Sequence, residues 1–275
     1  TRSISAQVAT RIPTADQTLR AVSVAADDVL DALRAVLVLE PTPRAMRRYV
    51  PARDDRLRRD ASNLSAVIAR LLGHSEAHDR ILEVLRSVSE TPVLSLGTAT
   101  SDLGDVMLTF TQRLAGTESI VPARLMSDGT LRLLAILAAL LDDDPHGGVS
   151  TLDDAPPSTT VVVEEIDNGL HPSQAAALLG AARAGRRARG VRVVTSTHSP
   201  ALLDALPGGD HRGVVVCVRD ADGWTRLHRL VDMPNYFNVV AAGSLGRAAV
   251  ADRLRPRTAA QVTDELLDRV LGPRP

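Results

Sequence analysis

Two adjacent carboxylates are the first residues of this chain whose position suits chemistry. Glu164 and Glu165 directly follow residues 160–163, a run of threonine and valine that reads as a buried strand. Both side chains are ionised near neutral pH, and a carboxylate can hold a magnesium-bound water or orient an attacking water. Because successive strand residues point to opposite faces, we expect one glutamate to face a metal ion and the other a nucleophile.

An imidazole follows the second apolar run of this kind. Residues 191–196 read as a buried strand that leads into Thr197, His198 and Ser199. Ligands of open α/β sheets bind beyond the carboxyl ends of the strands, so neighbouring strands would bring His198 and Glu165 to one edge. A histidine that is mostly neutral at this pH can donate a hydrogen bond to a phosphate.

A third segment, residues 126–130, suits an anion. Ser127 can cap the helix that we predict over 127–141, and the free N–H groups at the start of a helix favour negative charge. Gly129 allows a ligand to approach the backbone closely. Ser127, Asp128 and Gly129 are therefore candidate binding residues.

Alternating strands and helices in the carboxy-terminal part must position these segments. Continuous apolar strands separated by helices indicate a parallel sheet that helices cover on both faces. The predicted fold class is α/β, with a mostly parallel sheet flanked by helices. We predict helices over 127–141, 172–187, 200–206 and 258–270, a loop over 142–158, and strands over 160–163, 191–196, 211–218 and 224–230.

The first hundred residues are mixed in character. We predict helices over 21–34, 63–72 and 78–88, a short buried strand over 36–39 that prolines end, and a hairpin within 105–123. We expect two parts: residues 1–103, a helical lid-like or arm-like region with a short strand, and residues 104–275, the α/β lobe.

In this order the segments resemble the head of an ATP-binding-cassette (ABC)-type ATPase of the RecF-like branch. Such heads are similar to those of SMC proteins and are often described as AAA-family ATP-binding proteins. The resemblance covers roughly residues 35–250. The matching pieces are the signature motif at 126–130, the Walker B strand at 161–165, the D-loop at 168–172, the switch-histidine loop at 197–199, and two further pieces at 43–47 and 63–64.

The resemblance implies two heads that sandwich two ATP molecules and separate after the phosphoanhydride is hydrolysed. It implies that Glu164 holds Mg²⁺ through water, that Glu165 is the catalytic base or water-positioning residue, and that His198 senses the γ-phosphate. Ser127, Asp128 and Gly129 would contact the nucleotide of the other head. The D-loop residues would lie at the interface of this ATP-bound homodimer: Asn168, Gly169, Leu170 and His171.

The resemblance also implies a larger complex. Its partner would be DNA or a toxic effector protein, as in DNA repair or anti-phage defence. The alternative is a non-catalytic scaffold that kept the fold, lost nucleotide binding and serves only to bind a partner.

One departure from the family pattern concerns the phosphate-binding loop. The chain contains no lysine, so it cannot contain the P-loop G-x-x-x-x-G-K-[ST] that holds the β- and γ-phosphates. We expect the chain to be the carboxy-terminal portion of a longer ATPase, with a naturally split or degenerate member as the alternative. In either case we expect it to bind ATP poorly by itself.

Composition excludes several other classes. The net charge of −1 argues against a basic surface over the whole protein that would attract nucleic acid. The low aromatic content, 2%, argues against a surface on which bases stack. A single cysteine excludes an internal disulfide and a cysteine-rich zinc site. The longest apolar run, 133–141, is too short to span a bilayer, and we expect a cytoplasmic protein. Seven arginines between 44 and 59, diluted by three aspartates, favour a solvated face, with phosphate-backbone contact as the alternative.

Overall fold

The computed structural model describes residues 17–142, 159–220, 222–241 and 243–255. The chain divides into two compact units, one ending at Thr197 and the other beginning at His198. The sequence-based boundary between residues 103 and 104 separates parts by their expected function rather than by compactness, and it stays a prediction. The predicted helix over 258–270, and all but the first residue of the predicted loop over 142–158, lie outside the described residues.

The first unit contains six α-helices and seven strands among the described residues. In chain order they are α1 (Gln17–Arg34), β1 (Val36–Leu39), α2 (Pro43–Met46), β2 (Val50–Pro51), α3 (Leu64–Leu71), α4 (Ser75–Val88), β3 (Val93–Thr100), β4 (Asp105–Leu114), β5 (Thr117–Pro122), α5 (Asp128–Leu141), β6 (Thr160–Val163), α6 (Pro172–Arg189) and β7 (Arg192–Thr195).

A parallel sheet of three strands in the order β1-β6-β7 confirms the predicted α/β class. Leu39, Val163 and Thr195 are partners in register at its carboxyl end. The central strand β6 is covered, and its Val161 and Val163 are buried. The outer strands are less covered than predicted, since Val194 is 56% exposed. Among the described strands, β1 and β7 each pair on one side only.

Helix α5 forms the centre of the core in the first unit. Every residue from 133 to 141 is buried, as expected for a helix that is apolar all round. It packs against α2, α3, α4 and α6. The sequence prediction for this helix is confirmed to within one residue.

A second, antiparallel sheet contains β2, β3, β4 and β5. The predicted hairpin is confirmed as β4 and β5, joined at Ala115 and Gly116, which both have positive φ, the geometry of a type I′ turn. Strand β3 was not predicted, because its sequence VLSLGTAT lacks a clear alternation of polar and apolar residues. Its pairing with β4 is therefore a tertiary effect.

The second unit contains α7 (Pro200–Asp204), β8 (Val215–Arg219), β9 (Thr225–Arg229), α8 (Tyr236–Ala241) and α9 (Leu245–Val250). The predicted strand over 211–218 begins later, because a 3₁₀ helix occupies Gly208–Gly213. A small core that includes Leu230, Met233 and Leu245 packs against part of the β8–β9 hairpin. Over the described ranges of both units, no helix combines the length and apolar character that crossing a membrane requires.

Candidate nucleotide-switch site

The carboxyl edge of the parallel sheet brings together the segments that follow β6 and β7. Because these strands are parallel and in register, both segments leave the sheet at the same edge. The Ile166 amide donates to the Ser196 carbonyl at 3.2 Å, and the Thr195 hydroxyl donates to the Val163 carbonyl at 2.7 Å. The Thr197 hydroxyl donates to the Asp167 carboxylate. The two loops are therefore tied together as far as Thr197.

Glu165 has an unusual backbone. Its φ is +46°, in the left-handed region that side chains other than glycine rarely adopt. Its amide donates to the Ser196 hydroxyl at 3.0 Å, and its carbonyl accepts from the Asn168 amide at 2.8 Å. This conformation costs about 1–2 kcal/mol and persists only where the surroundings impose it. Strain of this kind concentrates at functional sites.

The side chains of the two glutamates are both exposed at this edge. The Asn168 side-chain amide donates to Glu165 Oε2 over 3.4 Å, so the same residue contacts both the backbone and the carboxylate of Glu165. Glu164 makes no ion pair or side-chain hydrogen bond with the part of the chain that the structure describes. The two glutamates thus differ in their contacts. Both follow the last strand residue, Val163, and lie in a turn, so the assignment of one to a metal ion and the other to a nucleophile stays a prediction.

The third strand end at this edge carries another carboxylate, Glu40, which no motif in the sequence indicated. The Arg59 guanidinium donates a hydrogen bond to it, and this bond, with the charge of Arg59, lowers the pKa of Glu40 below its ordinary value. The same contact raises the pKa of Arg59. Next to Arg59, the Asp60 carboxylate accepts a hydrogen bond from the Ser62 amide, and this bond lowers the pKa of Asp60.

The signature segment, residues 126–130, contains the predicted helix cap. The Ser127 hydroxyl accepts from the Thr130 amide at 3.1 Å and lies 2.9 Å from the Thr130 hydroxyl. Asp128 is the first residue of α5, where a carboxylate complements the helix dipole. Arg47, from the end of α2, donates to the Asp128 carboxylate.

Gly129 is buried against the D-loop rather than open to solvent. A Cβ atom at this position would lie 2.5 Å from the Gly169 carbonyl oxygen and 3.1 Å from Gln174 Oε1. The close approach that this glycine permits is therefore to the chain's own backbone. Gly169 itself has a φ of +73°, so both glycines are needed for the signature segment and the D-loop to meet.

The remaining D-loop residues lead into α6. The His171 amide donates to Gln174 Oε1 at 3.0 Å, and its ring Nδ1 lies 2.9 Å from the Ser173 hydroxyl. Asn168 and His171 are exposed, and Leu170 is half-buried. His198 is the first residue of the second unit and is exposed, while Ser199 caps α7. That Glu165 and His198 act side by side stays a prediction.

Two further polar residues, Asn63 and Arg70, make partly buried contacts within the first unit. Asn63 is fully buried, and its side-chain amide donates to the Asp54 carbonyl at 2.7 Å while its oxygen accepts from the Arg58 amide at 3.0 Å. Arg70 donates to the buried Asp142 carboxylate at 2.6 Å, which ties α3 to the end of α5. The sequence indicated Asn63 only through the family resemblance, and it gave no signal for the Arg70–Asp142 pair.

Solved structures similar to this chain include SMC heads. One comes from work on "ATP-driven dimerization and DNA stimulated activation of SMC ATPases", with 11% identity, a TM-score of 0.39, and coverage of 77% of this chain and 99% of that one. Another is the Smc head domain from Pyrococcus furiosus with an extended coiled coil, bound to the C-terminal domain of ScpA. It shows 11% identity, a TM-score of 0.37, and coverage of 77% and 42%. No curated protein matches the chain.

A family profile described as "AAA domain, putative AbiEii toxin, Type IV TA system" matches residues 8–204. The match extends over more than half of the 275 residues. This chain therefore belongs to that AAA-domain family and is an AAA-type, ATPase-like domain.

Proposed function

We propose that this chain supplies the Walker B, D-loop, signature and switch-histidine elements of an ATP-binding and ATP-hydrolysing switch in a larger complex. The observation that carries the proposal is the turn at the carboxyl end of β6. It presents two exposed carboxylates, holds Glu165 in a strained backbone, and contacts the signature segment through Gly129 and Gly169. In this proposal residues 1–103 act as the lid or arm, and residues 104–275 as the ATPase lobe.

Magnesium suits the donor set at this edge. Mg²⁺ is usually held by one or two carboxylates together with water and substrate phosphates. Glu164 is exposed and has no ion-pair partner among the described residues, so its carboxylate is available to hold a metal-bound water. When bound, the ion would neutralise phosphate charge.

Glu165 would act as the general base or water-positioning residue. Its constrained backbone and its bond from Asn168 restrict the direction of the carboxylate before substrate arrives. Preorganisation of this kind reduces the entropy that must be lost in the transition state. His198, which follows β7 closely in the chain, would donate to the γ-phosphate, and the lysine of the phosphate loop must come from outside these 275 residues.

The assembly that we propose is an ATP-bound homodimer of heads. Ser127, Asp128 and Gly129 of one head would face the nucleotide of the other, and the D-loop would line the interface. Hydrolysis would separate the heads and release a partner, which we propose to be DNA or a toxic effector. The family description names a toxin and a toxin–antitoxin system, which supports the effector. We place this activity in the cytoplasm.

Replacement of Glu165 by glutamine tests the proposal. In the protein as its gene encodes it, together with any chain that supplies the phosphate loop, E165Q should lower the rate of ATP hydrolysis by about 10²-fold or more. It should also cause ATP-bound dimers to accumulate in size-exclusion chromatography with light scattering. E90Q, a matched charge change at an exposed loop residue between α4 and β3, should leave both unchanged.

Two outcomes would contradict parts of the proposal. Normal hydrolysis by E165Q would show that Glu165 is not the base. If the wild-type protein neither binds nor hydrolyses ATP, even together with a chain that supplies the phosphate loop, the non-catalytic scaffold would be favoured.

A further inference from the structure

Arg47 joins the end of α2 to the signature segment. It directly follows α2, and its Nη2 donates to the Met126 carbonyl at 2.8 Å and to Asp128 Oδ1 at 2.6 Å. These partners lie 79 and 81 residues later in the chain and flank Ser127. One guanidinium therefore holds the segment both before and after the capping serine.

Both sides of this contact are anchored in the core. Met46, next to Arg47, and Met126 are buried. The Arg47 side chain is 27% exposed, whereas that of Asp128 is 65% exposed. An ion pair at this exposure contributes little to stability, so its main physical consequence is the position of the segment that it holds.

The opposite side of the segment is closed by the D-loop. Gly129 lies so close to the Gly169 carbonyl that no Cβ could fit without a backbone shift. Gly169 belongs to the same turn as Glu165. Residues 126–129 are thus held between Arg47 and the turn that carries the Glu165 carboxylate.

The positive charge of Arg47 also changes the electrostatic environment at the start of α5. A carboxylate at the first helical position stabilises the helix dipole but would repel an approaching phosphate. The Arg47 guanidinium compensates the Asp128 charge at this point. The amino terminus of α5 then presents its N–H groups with less opposing negative charge.

We propose that Arg47 is a positioning residue that fixes the signature segment relative to the Glu165 turn. This inference rests on the proposed function for its catalytic consequence, but the contact itself can be tested without nucleotide. Arg47 touches neither the nucleotide nor the reacting atoms in this proposal, and it acts through Met126 and Asp128.

The first experiment measures hydrogen exchange of residues 126–131 in the nucleotide-free protein. R47A should lose protection in this segment, R47K should restore it in part, and R48A should resemble wild type. Arg48 is the matched control because it is adjacent and exposed. Unchanged exchange in R47A would overturn the proposal, whatever the protein does with ATP.

The second experiment separates kcat from KM for ATP in the same variants. R47A should lower kcat on the order of 10- to 100-fold with little change in KM, because a misplacement of about 1 Å caused by a substitution far from the chemistry can cost about 10²-fold in rate. In D128N, Arg47 can still donate to the Met126 carbonyl, so this variant should lower kcat less than R47A. If R47A loses protection but keeps its kcat, the positioning role is wrong and the proposed function stands. If wild type has no ATPase activity, the proposed function fails and the exchange result still decides the contact.

Discussion

The turn after β6 and the signature segment are held in place by different means. In the turn, residues 164–169, Glu165 is held by Asn168, three residues later in the same turn, and by Ser196, which follows the paired strand β7. The signature segment is held by Arg47, some 80 residues earlier, and by Gly169. Sheet register and a short-range contact therefore define the first region, whereas packing between distant parts of the chain defines the second.

Because the two regions are held differently, they should respond differently to substitutions elsewhere in the core. A turn that is fixed by strand register should tolerate changes elsewhere in the core as long as β6 and β7 stay paired. A segment that is fixed by long-range contacts should respond to changes in any of the elements that hold it. The substitutions below test this contrast, from the largest expected effect to the smallest.

Gly129→Ala should have the largest effect on stability. The added methyl group would meet the Gly169 carbonyl oxygen at 2.5 Å, and overpacking of this kind costs about 1–3 kcal/mol. Chemical denaturation measures the change. Gly97→Ala in β3 is the control, since its Cβ would meet Thr109 Oγ1 at an ordinary 3.6 Å. A Gly129→Ala protein as stable as wild type would show that the two segments do not touch.

Ser127→Ala should lower stability by about 1 kcal/mol, because the Thr130 amide loses its cap. The effect should appear as faster hydrogen exchange in the first turn of α5, with the turn at 164–169 unaffected. Ser119→Ala, at an exposed position of β5, should change neither quantity. Equal loss of protection in both regions would mean that they unfold as one unit.

Glu165→Gly should raise stability by up to about 1 kcal/mol, because glycine adopts positive φ without the penalty that other residues incur. Glu164→Gly should instead destabilise the protein slightly, since Glu164 is not among the described residues with positive φ. Thermal denaturation of the two variants measures this difference. If both substitutions destabilise the protein, the strain at Glu165 is not present.

Glu40→Gln should have the smallest effect, and it should depend on pH. Because Arg59 lowers the pKa of Glu40 in the folded state, the pair stabilises the protein above the unfolded pKa, and this contribution is lost as the pH falls through the folded pKa. The Tm difference between wild type and Glu40→Gln should therefore be small near pH 7 and disappear in acid. A difference that grows as the pH falls would contradict the assignment.

The sequence was sufficient for the elements that form the edge of the site. The runs at 36–39 and 160–163 predicted two strands of the sheet, and the serine before a long apolar run predicted the start of α5. These features are local: a strand end, a helix cap and a hairpin turn each depend on a few consecutive residues. The exposure of Val194 was not predictable in this way, because it depends on what lies beside the strand.

The sequence by itself determined the order of the elements, the residues that follow each strand, and the lack of a lysine for a phosphate loop. Only the tertiary structure decided which of seven neighbouring arginines contacts the signature segment, why residue 129 must be glycine, and that Glu165 has a strained backbone. The physical reason is the distance along the chain over which each interaction acts. Periodicity and capping act over a few residues, whereas these contacts depend on how distant elements pack against one another.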